Sequence, residues 1–359
     1  MGCTRDAGEN IAEYMKAFTQ KATTLRVPLS GSLEVTYRCN LRCVHCYLGH
    51  LQNRQRDDRE MNTERILSLI DEITAAGCLY LLITGGEALV RDDFPEIYRH
   101  AKKNGLMVTV FTNGTLIRDE IPELFQEFPP YEVEISLYGA SAETYERITR
   151  TAGSFERCMK GIERLLNRGI RVGLKTILMT LNSREFFDIE NIAKDLGVRF
   201  RFDAAINPCL NGDKTPLDLR VSPEEVVEKE FSDDKRAGAW QKFSGAGQER
   251  VLSNALYDCG AGITGFSVDP YGDLRPCMMT LDIGYSLFQG GFSAGWDAII
   301  KELRARKAGE ASSCKGCAKS LLCGYCPGFF KLETGSEDIC SSYLCAIGNR
   351  RFERINQRG

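Results

Sequence analysis

The chain has 359 residues, 43% of them hydrophobic and 26% charged, and a formal net charge of −3. This is the make-up of a globular protein with enough chain to bury a large core, and it excludes the strong basic field with which proteins hold nucleic acid or an anionic membrane. No apolar run is long enough to cross a bilayer and the first ten residues lack the apolar core of a secretory signal, so a cytoplasmic location is expected, with neither nucleic acid nor membrane as partner.

Residues 1–29 read as an N-terminal extension, in which Ile11–Phe18 has the pattern of one amphipathic helix. From 30 to 207, short apolar strands alternate with helices. The strands are expected at Ser32–Tyr37, Leu79–Ile83, Met107–Phe111, Glu132–Leu137, Val172–Met179 and Val198–Phe202, rich in Val, Ile, Leu and Phe as buried parallel strands are. Thr63 is placed to cap a helix with Ile66, Leu69, Ile70 and Ile73 on one face, and Gly77 to end it. Asp92 and Asp93 open a second helix, with Pro95 in its first turn. Ser154 opens a third, and Asn182 or Ser183 a fourth that runs to Leu196. Six β/α units in a row predict an α/β fold, a partial (β/α)6 TIM-like barrel two units short of closure. Residues 208–255, punctuated by Asn211-Gly212 and Thr215-Pro216, read as a connector. Residues 256–359 are rich in Cys and Gly and short of long periodic segments, which predicts a small Cys-rich domain held by metal rather than by an apolar core.

There are 15 cysteines. Cytosolic thiols rarely pair as disulfides, so spaced cysteines read as metal ligands. Cys39, Cys43 and Cys46 form C-x3-C-x2-C directly after the first strand. Three thiolates so close together can hold three corners of a [4Fe–4S] cube and leave one iron open to a chelating small molecule. A tetrahedral zinc would need a fourth ligand nearby, and His45, adjacent to Cys46, is poorly placed to turn back onto the same ion. A second group comprises Cys259, Cys277, Cys314, Cys317, Cys323, Cys326, Cys340 and Cys345, enough thiolates for two iron–sulfur sites of four ligands each, with two structural zincs as the alternative. Cys78 and Cys158 fall on apolar faces and read as small core side chains, and Cys3 lies in the terminus. Cys209 reads as equally bland, although its place after the sixth strand would let it approach a substrate.

The cysteine loop is followed by Thr84-Gly85-Gly86-Glu87 after the second strand, Thr112-Asn113-Gly114 after the third and Ser136 at the end of the fourth. In that order these segments resemble the radical S-adenosylmethionine (SAM) superfamily. The resemblance implies that SAM chelates the open iron, that an electron from the reduced cluster breaks its sulfonium C–S bond, and that the resulting 5′-deoxyadenosyl radical takes a hydrogen atom from the substrate. It implies SAM contacts from Gly85, Gly86, Glu87, Asn113 and Ser136, with Glu87 meeting the ammonium; the family's usual Pro after this Glu is Ala88 here. Arg147 and Arg150 could neutralise the SAM carboxylate and Lys175 points from the fifth strand, but each of the three is read first as a solvated surface charge.

The second cysteine group resembles the SPASM domain, which carries two auxiliary [4Fe–4S] clusters, although Cys323-x2-Cys326 is one residue shorter than the family's spacing. The resemblance assigns Cys259, Cys277 and Cys326 to the nearer cluster and Cys314, Cys317, Cys323 and Cys345 to the distal one. Cys340 is either a fourth ligand to the nearer cluster or a bystander. It implies a peptide or protein substrate, with a small metabolite or sulfatase maturation as the alternative and a non-catalytic iron–sulfur redox or regulatory protein as the remaining one. It also implies a flavodoxin- or ferredoxin-type reductant. Residues 1–29 are too few for a leader-binding domain, so leader recognition is expected from a separate protein or from the SPASM surface.

Overall fold

All six expected strands form: β1 (Ser30–Glu34), β2 (Tyr80–Thr84), β3 (Met107–Thr112), β4 (Glu132–Ser136), β5 (Val172–Ile177) and β6 (Arg199–Asp203). The computed structural model describes residues 6–51, 57–246, 255–257, 259–310, 312–314 and 316–357, so Cys3 lies outside the described residues. The strands pair in parallel in chain order, with Ser32 opposite Leu82 and Lys175 opposite Arg201. Successive side chains point to opposite faces of a sheet. One set, including Leu33, Ile83, Val110, Ile135 and Leu174, packs into the main apolar core. The alternate set, including Glu34, Thr84, Phe111, Ser136, Lys175 and Arg201, lines an interior cavity.

Helices cover the outer face. α1 (Asp6–Leu25) extends the expected N-terminal helix in both directions. α2 (Thr63–Ala75) buries Ile66, Leu69, Ile70 and Ile73 as their spacing predicts. Its cap is Asn62 rather than Thr63: Asn62 Oδ1 accepts the Arg65 N–H at 2.9 Å, while Thr63 donates to Asp93 at 2.6 Å. α3 (Phe94–Lys103) and α6 (Ser154–Asn167) stand where expected, and α7 (Phe186–Asp195) follows a 3-10 turn at Ser183–Glu185. Two further helices, α4 (Glu120–Glu127) and α5 (Ala142–Thr149), are only eight residues long, too short for a periodic stripe to show in the sequence.

After β6 come α8 (Pro223–Glu230) and α9 (Asp234–Ala246). β7 (Gly265–Val268) then pairs in parallel with β1 on the edge away from β2, and β8 (Asp273–Arg275) and β9 (Tyr285–Ser286) follow antiparallel. The nine strands form one sheet, ordered β6-β5-β4-β3-β2-β1-β7-β8-β9. The C-terminal region departs here from the expectation of a unit without an apolar core. α10 (Leu287–Ala305) buries Phe292, Trp296, Ile299, Ile300 and Leu303 in the same cluster that holds β1 and α2. Its pattern is broken in the sequence by Gly290-Gly291, and Gly291 kinks the helix with φ 74°. Where the helix restarts, Glu72 of α2 accepts the Phe292 N–H at 2.6 Å. α11 (Pro327–Thr334) and α12 (Ser342–Asn356) complete the chain, α12 resting on α8 through an Arg351–Glu230 ion pair at 2.6 Å. Among the described residues, no helix is long and apolar enough to cross a membrane.

Candidate functional site

The cysteine loop leaves the C-terminal end of β1, where parallel α/β sheets place their chemistry. Several neighbours fix it. Glu60 accepts from Thr36 Oγ1 at 2.8 Å and from the Tyr37 N–H at 2.7 Å. The N–H groups of Arg42 and Val44 donate to Thr149 O and Ile148 O at the end of α5, each at 3.0 Å. On the other side, Gly86 N–H donates to Thr36 O and Glu87 N–H to Arg38 O, both at 2.8 Å. The two glycines are needed for this contact. A Cβ on Gly85, whose φ is +147°, would lie 2.3 Å from Thr36 O, and one on Gly86 would lie 2.5 Å from Arg38 O. The close approach that the sequence suggested between glycine backbone and cosubstrate is, in the fold, first an approach between the glycines and the cysteine loop.

Glu87 is buried, and its carboxylate accepts three hydrogen bonds: from Thr112 Oγ1 at 2.8 Å, Leu89 N at 3.1 Å and Asn113 N at 2.7 Å. Burial raises its pKa, against the opposing pull of these donors. Asn113 passes the connection on, donating to Asn40 Oδ1 at 2.9 Å inside the cysteine loop. Cys39, Cys43, Cys46, Gly85, Gly86, Glu87, Asn113 and Ser136 all line one cavity of about 520 Å³, a size suited to a small-molecule ligand.

The residues fit a cluster with one open corner and a small molecule beside it. Three thiols face one space, and the fourth thiol nearby, Cys209, instead donates to Cys46 O at 3.4 Å. Burial raises the Cys43 pKa, and its neighbours Cys46 and Cys39 add to the rise. Bound cations are what stabilise closely spaced thiolates in such a setting. Among the described residues, no three Cys, His, Asp or Glu side chains converge on a single-ion centre. The His45 ring also lines the cavity, 4.5 Å from the Tyr138 ring centroid, and its buried Nδ1 has no hydrogen-bond partner. An unmet buried polar atom costs about 1–3 kcal/mol, which a ligand in the cavity would offset.

Sequence reasoning missed several cavity residues. Glu34 accepts from the Tyr47 hydroxyl at 2.6 Å, and burial lifts its pKa to about 7. A lone Glu in the apolar run Ser32-Leu33-Glu34-Val35 was the available signal, because alternation turns it away from the core. Lys175 is a correction: it is a cavity residue, not a solvated surface charge. Its Nζ lies 3.1 Å from the Phe111 ring centroid and 4.0 Å from Glu134. Burial, against the charge of Glu134, lowers its pKa to about 7. Behind it, burial opposes the charge on Glu134, but Arg201, Lys175 and Arg199 outweigh that and hold the carboxyl below its usual range. Arg147 and Arg150 are exposed, as expected. Cys78 and Cys158 are buried in the main core.

The remaining cysteines lie outside the cavity wall in two groups. Cys326 caps α11, accepting the Phe329 N–H at 3.4 Å, and is within electrostatic range of Cys277 and Cys259. Cys314, Cys317, Cys323, Cys340 and Cys345 form the other group. Met278, Met279 and Phe329, next to the first group, form an apolar wall of the cavity.

Comparison with known proteins supplies the context. A sequence profile of the Radical SAM superfamily matches residues 33–196. Mycofactocin maturase MftC of Mycolicibacterium smegmatis is 30% identical over 304 residues, spanning 81% of this chain and 76% of that protein. The antilisterial bacteriocin subtilosin biosynthesis protein AlbA of Bacillus subtilis is 26% identical, spanning 94% of this chain and 75% of its own. Among solved structures, Streptococcus suis SuiB bound to precursor peptide SuiA superposes with a TM-score of 0.70 at 16% identity, over 94% of this chain and 80% of that one. Native anSMEcpe with bound AdoMet gives 0.69 at 18% identity, over 92% and 98%.

Proposed function

The chain belongs to the radical SAM superfamily, and from that premise we propose that it is a peptide-modifying radical SAM enzyme whose cluster is held by Cys39, Cys43 and Cys46. Bound there, the cluster and SAM together supply a 5′-deoxyadenosyl radical, the species that takes a hydrogen atom from the substrate. The chain's own part is to hold and to exclude. Three thiolates leave one iron corner without a protein ligand. Gly85 and Gly86 let the second strand-end turn lie against the cysteine loop, and Glu87, through Asn113, fixes the third turn to it. His45 Nδ1 remains available to a ligand on the same wall, and the Ser136 side chain there bonds to Tyr138.

The substrate side is the β6 edge, where the barrel stays open. Arg201 and Asp203 line the cavity there, and the Arg201 side chain is 43% exposed. Met279 and Phe329 pack in one apolar cluster with Ala205, just after β6, and with Met278 they line the cavity too. An opening along a strand edge suits an extended segment, and the kinship with MftC, with AlbA and with the fold of SuiB supports a peptide. In this reading, residues 30–207 form the barrel, 208–255 the connector and 256–359 a SPASM unit, whose cysteines would hold two auxiliary [4Fe–4S] clusters; bound there, these would supply either an acceptor for the electron left after hydrogen abstraction or an open iron for a substrate thiolate. A flavodoxin- or ferredoxin-type protein supplies the reducing electron, and a separate protein or the SPASM surface recognises any peptide leader.

The observation that carries the reading is the single cavity shared by the three thiols, the Gly85-Gly86-Glu87 turn and the open β6 edge. The test uses the anaerobically reconstituted protein with SAM, dithionite and a low-molecular-weight extract of the source cell. Formation of 5′-deoxyadenosine should rise with the extract and fall back once the extract has been digested with protease. Stimulation that survives digestion would replace the peptide by a small metabolite.

A further inference from the structure

Eight cysteines outside the barrel are enough for two cubes of four ligands each, but the fold does not divide them evenly. We infer that three serve an inner cluster and five stand at an outer one, where Cys340 and Cys345 alternate as the fourth ligand. The inference rests on the two auxiliary clusters proposed above.

The inner set is Cys259, Cys277 and Cys326, each within electrostatic range of the others. The outer set begins with Cys314, Cys317 and Cys323 on one stretch of chain, where Cys317 N–H donates to Cys314 O at 3.1 Å. Cys340 and Cys345 reach it from the start of α12. Cys340 lies within hydrogen-bonding reach of both Cys314 and Cys345, and its Sγ is 3.6 Å from the Ser313 hydroxyl. It is therefore part of the outer group, beside the very thiol that the sequence pattern names as that group's last ligand.

A cube binds one thiolate per iron, so five thiols leave one over. Cys345 sits in the first turn of α12 and Cys340 just before its Ser341 cap, so the two approach the same corner from adjacent positions. Exchange needs no oxidant. The arriving thiol gives up a proton, the departing thiolate takes one, and the cluster's charge and oxidation state are unchanged; the Ser313 hydroxyl stands beside Cys340 as a hydrogen-bond partner for either form. By the same count, the inner cube has one iron without a cysteine.

The test uses the loaded wild-type protein under anaerobic conditions. A brief pulse of iodoacetamide marks thiols not bound to iron; unfolding with a chelator and a second, heavier reagent then marks the rest. One tryptic peptide, 332–350, contains both residues. Alternation predicts the first label on Cys340 in some molecules and on Cys345 in others, never on both, with Cys314, Cys317 and Cys323 protected. Label confined to Cys340 makes it a bystander, and protection of both makes each a fixed ligand; either result overturns the inference. Iron content gives a second readout. Cys340→Ser and Cys345→Ser should each keep about twelve irons per chain, since either thiol completes the outer site. A loss of about four irons in either single variant also overturns it. Wild type with only about four irons would instead sink the auxiliary clusters themselves.

Discussion

Lys175 and Glu87 are both buried ionisable groups on the cavity wall, with opposite consequences. The Glu87 carboxylate is engaged by three donors of its own chain, so it acts as a positioning residue for Asn113 and, beyond it, for the cysteine loop. Lys175 rests on the Phe111 ring, with Glu134 at 4.0 Å and the charges of Arg201 and Glu87 also within range. With a pKa near 7 in the fold and 10.5 as its ordinary value, it binds fewer protons folded than unfolded between those limits. Its contribution to stability therefore rises with pH across that window, and the cost of burying its charge is fully present below pH 7. Lys175→Met should raise the melting temperature, by more at pH 6.5 than at pH 9. An equal gain at both would show that the ammonium is not desolvated. None of this was legible in the sequence, where a lone Lys in a strand looks like any surface charge.

At the level of elements, the strands and the motifs at their ends were legible because apolar runs and close cysteine spacing are local signals. The strand ends were less so: β1 stops at Glu34, and Val35 to Arg38 already belong to the loop that bonds to Gly86 and Glu87. α10 was hidden by its own glycine kink, and with it the core of the C-terminal region. The assignment of Cys340 was also out of reach, since it depends on how α12 packs rather than on spacing. Gly86→Ala tests the joint between turn and loop. Its Cβ would meet Arg38 O at 2.5 Å, backbone that has no side chain to move aside. A loss of about 1–3 kcal/mol is expected in chemical denaturation, together with weaker SAM binding in equilibrium dialysis. Unchanged stability would mean that the two segments are not held together as described.

Across the whole molecule, one sheet runs from the open β6 edge through β1 to β9, so the cysteine loop sits where the barrel meets the C-terminal strands. Both the three thiols and the apolar side chains of Met278, Met279 and Phe329 line the cavity. Everything proposed for its chemistry depends on a cube held by three thiolates, with a fourth corner free to take SAM. Electron paramagnetic resonance of the anaerobically reduced protein, recorded with and without SAM, tests this most directly. The account predicts a signal that shifts when SAM is added, and no such shifting signal in the variant with Cys39, Cys43 and Cys46 all changed to Ala. A spectrum unaltered by SAM, or a shift that persists in that variant, would contradict it.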